Sequence, residues 1–200
     1  MLEILKPYLL TFIPIFVAVD AIGNIPVFIS LVEGLNKKKK HKIIIESVTT
    51  ATAMAILFMF VGKWVLQMLS ITISDFQIAG GALLFVIAVR LLLPGAQKHA
   101  LSDGHDKDVG VFPMGTPLIT GPAVLTTTLI MLDTYGIVAT FISLVVNMVI
   151  VWVTLAKADW IMKLIGVGGT RAVAKVMYIL LAAIAAMMIR RGIMGIYFIK

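Results

Sequence analysis

The chain has no cysteine among its 200 residues, which excludes a disulfide framework, thiolate chemistry and cysteine-ligated metal. Charge is scarce too. Asp, Glu, Lys and Arg make up 14% of the residues and hydrophobic types 60%, where soluble domains carry about 25% and 45–50%. The three histidines, His41, His99 and His105, fall in polar connections without metal-ligand spacing. No HExxH, no GxSxG and no nucleotide-binding glycine loop of standard spacing occurs. No second acid lies deep in an apolar run to partner Asp20 as a catalytic dyad would need. The sequence therefore predicts neither an enzyme nor a bound cofactor or metal.

What fills the chain is apolar sequence, with a mean hydropathy of +1.07. The runs Val109 to Leu132 and Thr134 to Ala156 carry no charged residue, and each exceeds the roughly 20 residues that a spanning helix needs. Lipid offers the backbone no hydrogen bonds, so a spanning chain is a helix bundle or a closed barrel. These runs are continuous rather than alternating, which excludes the barrel. The expectation is an all-α integral membrane protein with six transmembrane helices, at about 8–33, 43–62, 76–93, 111–132, 136–156 and 172–190. The first run continues past the length of a signal peptide and no small-residue cleavage site follows it, so it reads as a retained span. Residues 64–74 are apolar but too short to cross, and read as an interfacial segment with Trp64 at the headgroups.

The net charge of +7 reads as topological, with basic residues facing anionic lipid rather than nucleic acid. Of the 17 Lys and Arg residues, twelve lie in or beside the connections after spans one, three and five, and five lie on the opposite side. That asymmetry predicts a multi-pass cell-membrane protein with both termini extracellular. The hydrophilic stretch 94–110 is the natural midpoint and is expected to be a cytoplasmic loop. It divides the chain into repeats at 1–93 and 111–200, each of three spans, so the second is inserted upside down relative to the first. The breaks correspond: Pro26 in span one and Pro122 in span four are 96 positions apart. Such pairing is the pattern of inverted-repeat carriers, whose binding site forms at the midplane where two broken helices meet.

Proline removes a backbone donor and glycine permits turns that other residues resist. Gly23-Asn24-Ile25-Pro26 and Thr120-Gly121-Pro122, with Pro117 upstream, are therefore the candidate helix breaks in broken helices 1 and 4. Unwound backbone exposes carbonyls on one side and half-helix N-termini on the other, a combination that suits a zwitterion. Gly23, Asn24, Thr120 and Gly121 are the candidate substrate contacts. Asn147, mid-span in segment five, is either a site donor or a helix–helix contact. Three roles are open to Asp20: coupling proton site, ammonium partner, or structural cap. Gly80 and Gly81 are expected to allow close helix approach.

Three stretches resemble the MarC family: FIPIFVAVDAIGNIPVFISLVEGL at 12–35, FQIAGGALLFVIAVRLL at 76–92, and VFPMGTPLITGPAVLTTTLIML at 111–132. Gly23, Asn24, Pro26, Pro117, Gly121 and Pro122 match the family pattern, whereas Ala21 stands where proline is usual. The resemblance implies a six-helix secondary transporter of small neutral amino acids, glycine and alanine, coupled to protons. It is compatible with a homo-oligomer. The alternative is a passive channel for small polar or neutral solutes, built from two half-helices meeting at the midplane.

Overall fold

The computed structural model describes residues 2–32, 34–93 and 109–198. It contains α1 (Leu2–Val19), α2 (Asn24–Leu31), α3 (Lys37–Met68), α4 (Ile73–Leu92), a π-type coil α5 (Gly110–Ile119), α6 (Pro122–Ala156) and α7 (Ala158–Phe198). Among the described residues there is no strand, and five helices are long and apolar enough to cross a membrane. The fold is all-helical, as the continuous apolar runs require.

Local chemistry sets most of the boundaries. The Asn36 side chain accepts the Lys39 N–H at 2.9 Å and starts α3. At the start of α4 the Thr72 hydroxyl accepts the Asp75 N–H at 3.1 Å, and the Asp75 carboxylate accepts the Thr72 N–H at 2.9 Å. This reciprocal capping box satisfies two otherwise orphaned donors. Pro122 opens α6, where its missing N–H costs nothing.

Two expected boundaries moved. α3 runs on to Met68, so Trp64 to Met68 extends the helix rather than forming a separate interfacial segment. Nothing from Trp64 to Met68 breaks a helix, and Trp64 itself is exposed. α7 starts at Ala158 rather than near 172 and passes through Gly166, Gly168 and Gly169. Of the expected loop 94–110, residues 94–108 lie outside the described residues; Val109 and Gly110 lead into α5.

Inter-helix bonds define the packing. Thr120 donates to Ala51 O at 2.9 Å and Lys63 pairs with Asp133 at 3.0 Å, so the start of α6 runs alongside α3 in the same direction. Ser143 donates to Tyr8 O at 3.2 Å and Asn147 to Phe12 O at 3.3 Å, so the later part of α6 runs parallel to α1. Lys40, at the start of α3, pairs with Asp159, just past the end of α6, at 2.9 Å. The later part of α6 is therefore antiparallel to α3, and α6 turns back on itself. The reversal falls at Gly136, whose φ of 82° and ψ of 172° are non-helical and are open to glycine without steric cost.

Lys40 and Lys63 lie about 35 Å apart along α3 at helical rise, close to the roughly 30 Å of a bilayer core. The two ion pairs thus bracket a membrane-wide layer. Its interior holds a core of Ile15, Val19, Phe28, Met114, Ile119, Leu144 and Val151, while Leu57, Phe60, Val138 and Val149 are exposed, as a lipid-facing surface would be. α4 and α7 pack through small residues. A β-carbon on Gly81 would lie 2.8 Å from Ala185 O, and one on Gly192 would lie 2.6 Å from Ser74 O. Backbone approach of this kind is how membrane helices associate without a hydrophobic driving force.

Candidate functional site

The first break spans Asp20 to Gly23, between α1 and α2. Asp20 adopts a left-handed φ of 47°, a conformation that Asp tolerates better than most residues. Its exposed carboxylate accepts the Gly23 N–H at 3.1 Å. A β-carbon on Gly23 would run into that carboxylate. Asn24 is buried and donates to Val19 O at 2.9 Å, closing a carbonyl at the end of α1. Pro26 occupies the first turn of α2, where its N–H would have no helical partner.

The second break is built differently. In α5 the backbone bonds reach five residues back, Met114 N–H to Val109 O at 3.4 Å and Thr120 N–H to Gly115 O at 3.0 Å. Phe112 and Thr116 are extended within it, and both prolines, Pro113 and Pro117, follow cis peptide bonds. Gly121 is also extended (φ −90°, ψ 178°), and a β-carbon there would meet Pro117 O. Thr120, wholly buried, spends its hydroxyl on Ala51 O of α3. Gly80 of α4 abuts the ring of Pro122, so α4 seats the start of α6. The tight approach expected at Gly80 and Gly81 is present, and it is made to two different elements.

Asn147 is 1% exposed and donates to Ser143 O at 2.8 Å and to Phe12 O at 3.3 Å, while its Oδ1 has no partner. It serves as a helix–helix contact and retains a free acceptor. Thr120 and Asn147 lie at one depth. Counting from the Lys40–Asp159 pair, Ala51 comes level with Met148 on the antiparallel arm of α6, within about one residue rise of Asn147. Asp20 does not join this layer. It lies about 12 Å further along α1 than Phe12, the residue facing Asn147, level with the last turn of α6.

Two residues escaped sequence reasoning. Ser47 on α3 and Thr116 on α5 have buried hydroxyl oxygens without a partner. The one available signal was spacing, since Ser47 and Ser143 repeat the 96-residue offset of the two breaks. Two apolar surface grooves, one along Val48, Thr52 and Trp152 and one along Phe85 and Arg190, include no predicted site residue. Among the described residues no group of three His, Asp or Glu is placed to hold a metal.

Comparison with known proteins identifies the lineage of this architecture. The family model described as MarC family integral membrane protein matches residues 5–197. The chain belongs to the MarC family. It is 33% identical over 207 residues to the UPF0056 membrane protein MJ0972 of Methanocaldococcus jannaschii, covering 98% of this chain and 90% of that one. It is 29% identical over 203 residues to the UPF0056 membrane protein PYRAB13050 of Pyrococcus abyssi, covering 98% and 99%. A bacterial relative, the UPF0056 inner membrane protein YhgN of Escherichia coli, is 26% identical over 178 residues, covering 87% and 89%. No solved structure matches. This MarC protein is therefore an integral, multi-pass membrane protein, and the names of these relatives state no substrate.

Proposed function

We propose that this MarC protein is a secondary transporter of small neutral amino acids, glycine and alanine, driven by a proton gradient. The observation that carries the proposal is the correspondence of the two halves. If each arm of α6 is a span of its own the chain crosses six times, and the residues that follow or close the two breaks, Asn24–Pro26 and Thr120–Pro122, repeat at one 96-residue offset. The pairings correspond as well: span one lies on span five through Asn147, span four lies on span two through Thr120, and α4 lies on α7. Exchanging the halves converts the first pairing into the second and leaves the third unchanged. Two inverted repeats, 1–93 and 111–200, account for that set economically.

In this reading Thr120, Gly121 and Asn147 supply substrate contacts at one level. Gly23 and Asn24 supply those at the first break, about 12 Å along α1 and reached in a second step, and Pro26, Pro117 and Pro122 hold the breaks open. Asp20 is the coupling acid. Its carboxylate accepts the Gly23 N–H, and protonation converts a charge-assisted bond into a weaker neutral one, loosening the first break. Both termini lie outside in this arrangement. Uptake of labelled glycine and alanine into proteoliposomes, with and without an inward proton gradient, tests the proposal. The proposal predicts saturable uptake that rises with the gradient and loses that dependence in Asp20→Asn. Rapid unsaturable flux would replace it with the channel reading, and gradient dependence surviving in the variant would leave Asp20 as a structural cap.

A further inference from the structure

We propose that Ser47 and Thr116 form a contact site for a small neutral polar solute at the seam between α3 and α5. The inference rests on the transport reading above and adds to it two residues outside the breaks that the sequence pattern marked. Hydroxyls in apolar helices ordinarily donate to the carbonyl one turn back. Thr11, Thr52, Thr126, Thr128 and Thr140 all do so here, at 2.6 to 2.8 Å. Ser47 is wholly buried on a regular helix, yet its Oγ has no partner. Thr116 is extended, so no helical carbonyl is offered to it, and its Oγ1 is buried and unpartnered too.

The two residues share one seam, because a β-carbon on Gly115 would lie 3.0 Å from Ser47 O. A buried polar group without a partner is costly, and in native structures it calls for a bound water, ion or ligand. Ser47 lies about 10 Å inside the layer from Lys40. Glu46, the acid beside this seam, faces Lys42 at 3.4 Å. Neutral hydroxyls without a dedicated charge select for a neutral or zwitterionic solute rather than an ion. Gly110 and Gly115 let α5 sit flush on α3, with β-carbon positions 2.6 Å from Glu46 Cβ and 3.0 Å from Ser47 O respectively. A solute therefore reaches the hydroxyls when α5 moves off α3.

The test uses the purified full chain, Ser47→Ala and Thr116→Val, and a panel of glycine, alanine, serine, glycerol and urea. Unfolding temperature is read without solute and as each solute is titrated. Both variants should unfold at or above the wild-type temperature without solute, because an unsatisfied group has been removed. In each, the solute concentration giving half-maximal stabilisation should rise about three- to tenfold, the value of one neutral hydrogen bond. Opposed shifts of this kind cannot come from misfolding. An unchanged midpoint, a lowered solute-free unfolding temperature, or no stabilisation of the wild type by any panel member would each overturn the site. Stabilisation by glycerol, urea or serine alone, with the predicted shift, would uphold the site and refute the glycine and alanine assignment.

Discussion

Replacing Gly80 by alanine tests how the second break is held. A β-carbon at this position overlaps the Pro122 ring, with Cβ and Cδ of that ring at 2.8 and 2.9 Å. Ordinary contacts begin near 3.4 Å, and a proline ring has no rotamer by which to retreat. α4 must therefore shift away from the start of α6 by a sizeable fraction of an ångström. Overpacking of this kind costs about 1–3 kcal/mol, and the rigidity of both partners places Gly80→Ala in the upper half of that range. Reversible unfolding in an SDS titration measures it, with Ala82→Val as a control on the exposed face of the same helix, expected within about 0.5 kcal/mol of wild type. Combining Gly80→Ala with Pro122→Ala removes the obstructing ring, so the double variant should be less damaged than the sum of the singles. Wild-type stability in Gly80→Ala, or strict additivity in the double variant, would refute the contact and with it the claim that α4 seats the break.

Asn24→Ala leaves Val19 O without its 2.9 Å donor in a buried place and should cost about 1–2 kcal/mol in the same titration; no loss would mean that the carbonyl finds another partner. Thr72→Ala removes the capping box at α4 and should cost about 1 kcal/mol, which Thr72→Ser should largely restore. Lys63→Ala breaks a pair that is 60% and 59% exposed, so its cost should stay below about 1 kcal/mol and shrink with added salt. A larger, salt-insensitive loss would show that the pair is desolvated at the membrane surface.

The fold was legible where backbone chemistry is written in single residues. Gly23–Pro26 and Thr120–Pro122 marked both breaks because proline and glycine act locally, and the pair Gly80–Gly81 announced close packing. Element ends were less legible. Trp64 to Met68 is equally compatible with an interfacial segment and a helix that overshoots, and only the surroundings choose. The sixth span was expected to begin near 172, just past Gly166 to Gly169, yet α7 already runs through those glycines. The level of Asp20 was not legible for a related reason: α1 begins at Leu2, six residues before the expected start, and the Asn147–Phe12 contact sets a register that no local pattern encodes. Beyond the spacing of Ser47 and Ser143, nothing in the sequence marked the free hydroxyls of Ser47 and Thr116, since lack of a partner is a property of packing and not of residue type.

Counterflow exchange tests the central claim most directly. Proteoliposomes preloaded with unlabelled glycine are diluted into a trace of labelled glycine without any ion gradient. A carrier that exposes one site alternately to each face predicts transient accumulation of label above its equilibrium level, followed by decay, and the same with alanine inside. Label that rises only to equilibrium at a rate indifferent to preloading would contradict the account.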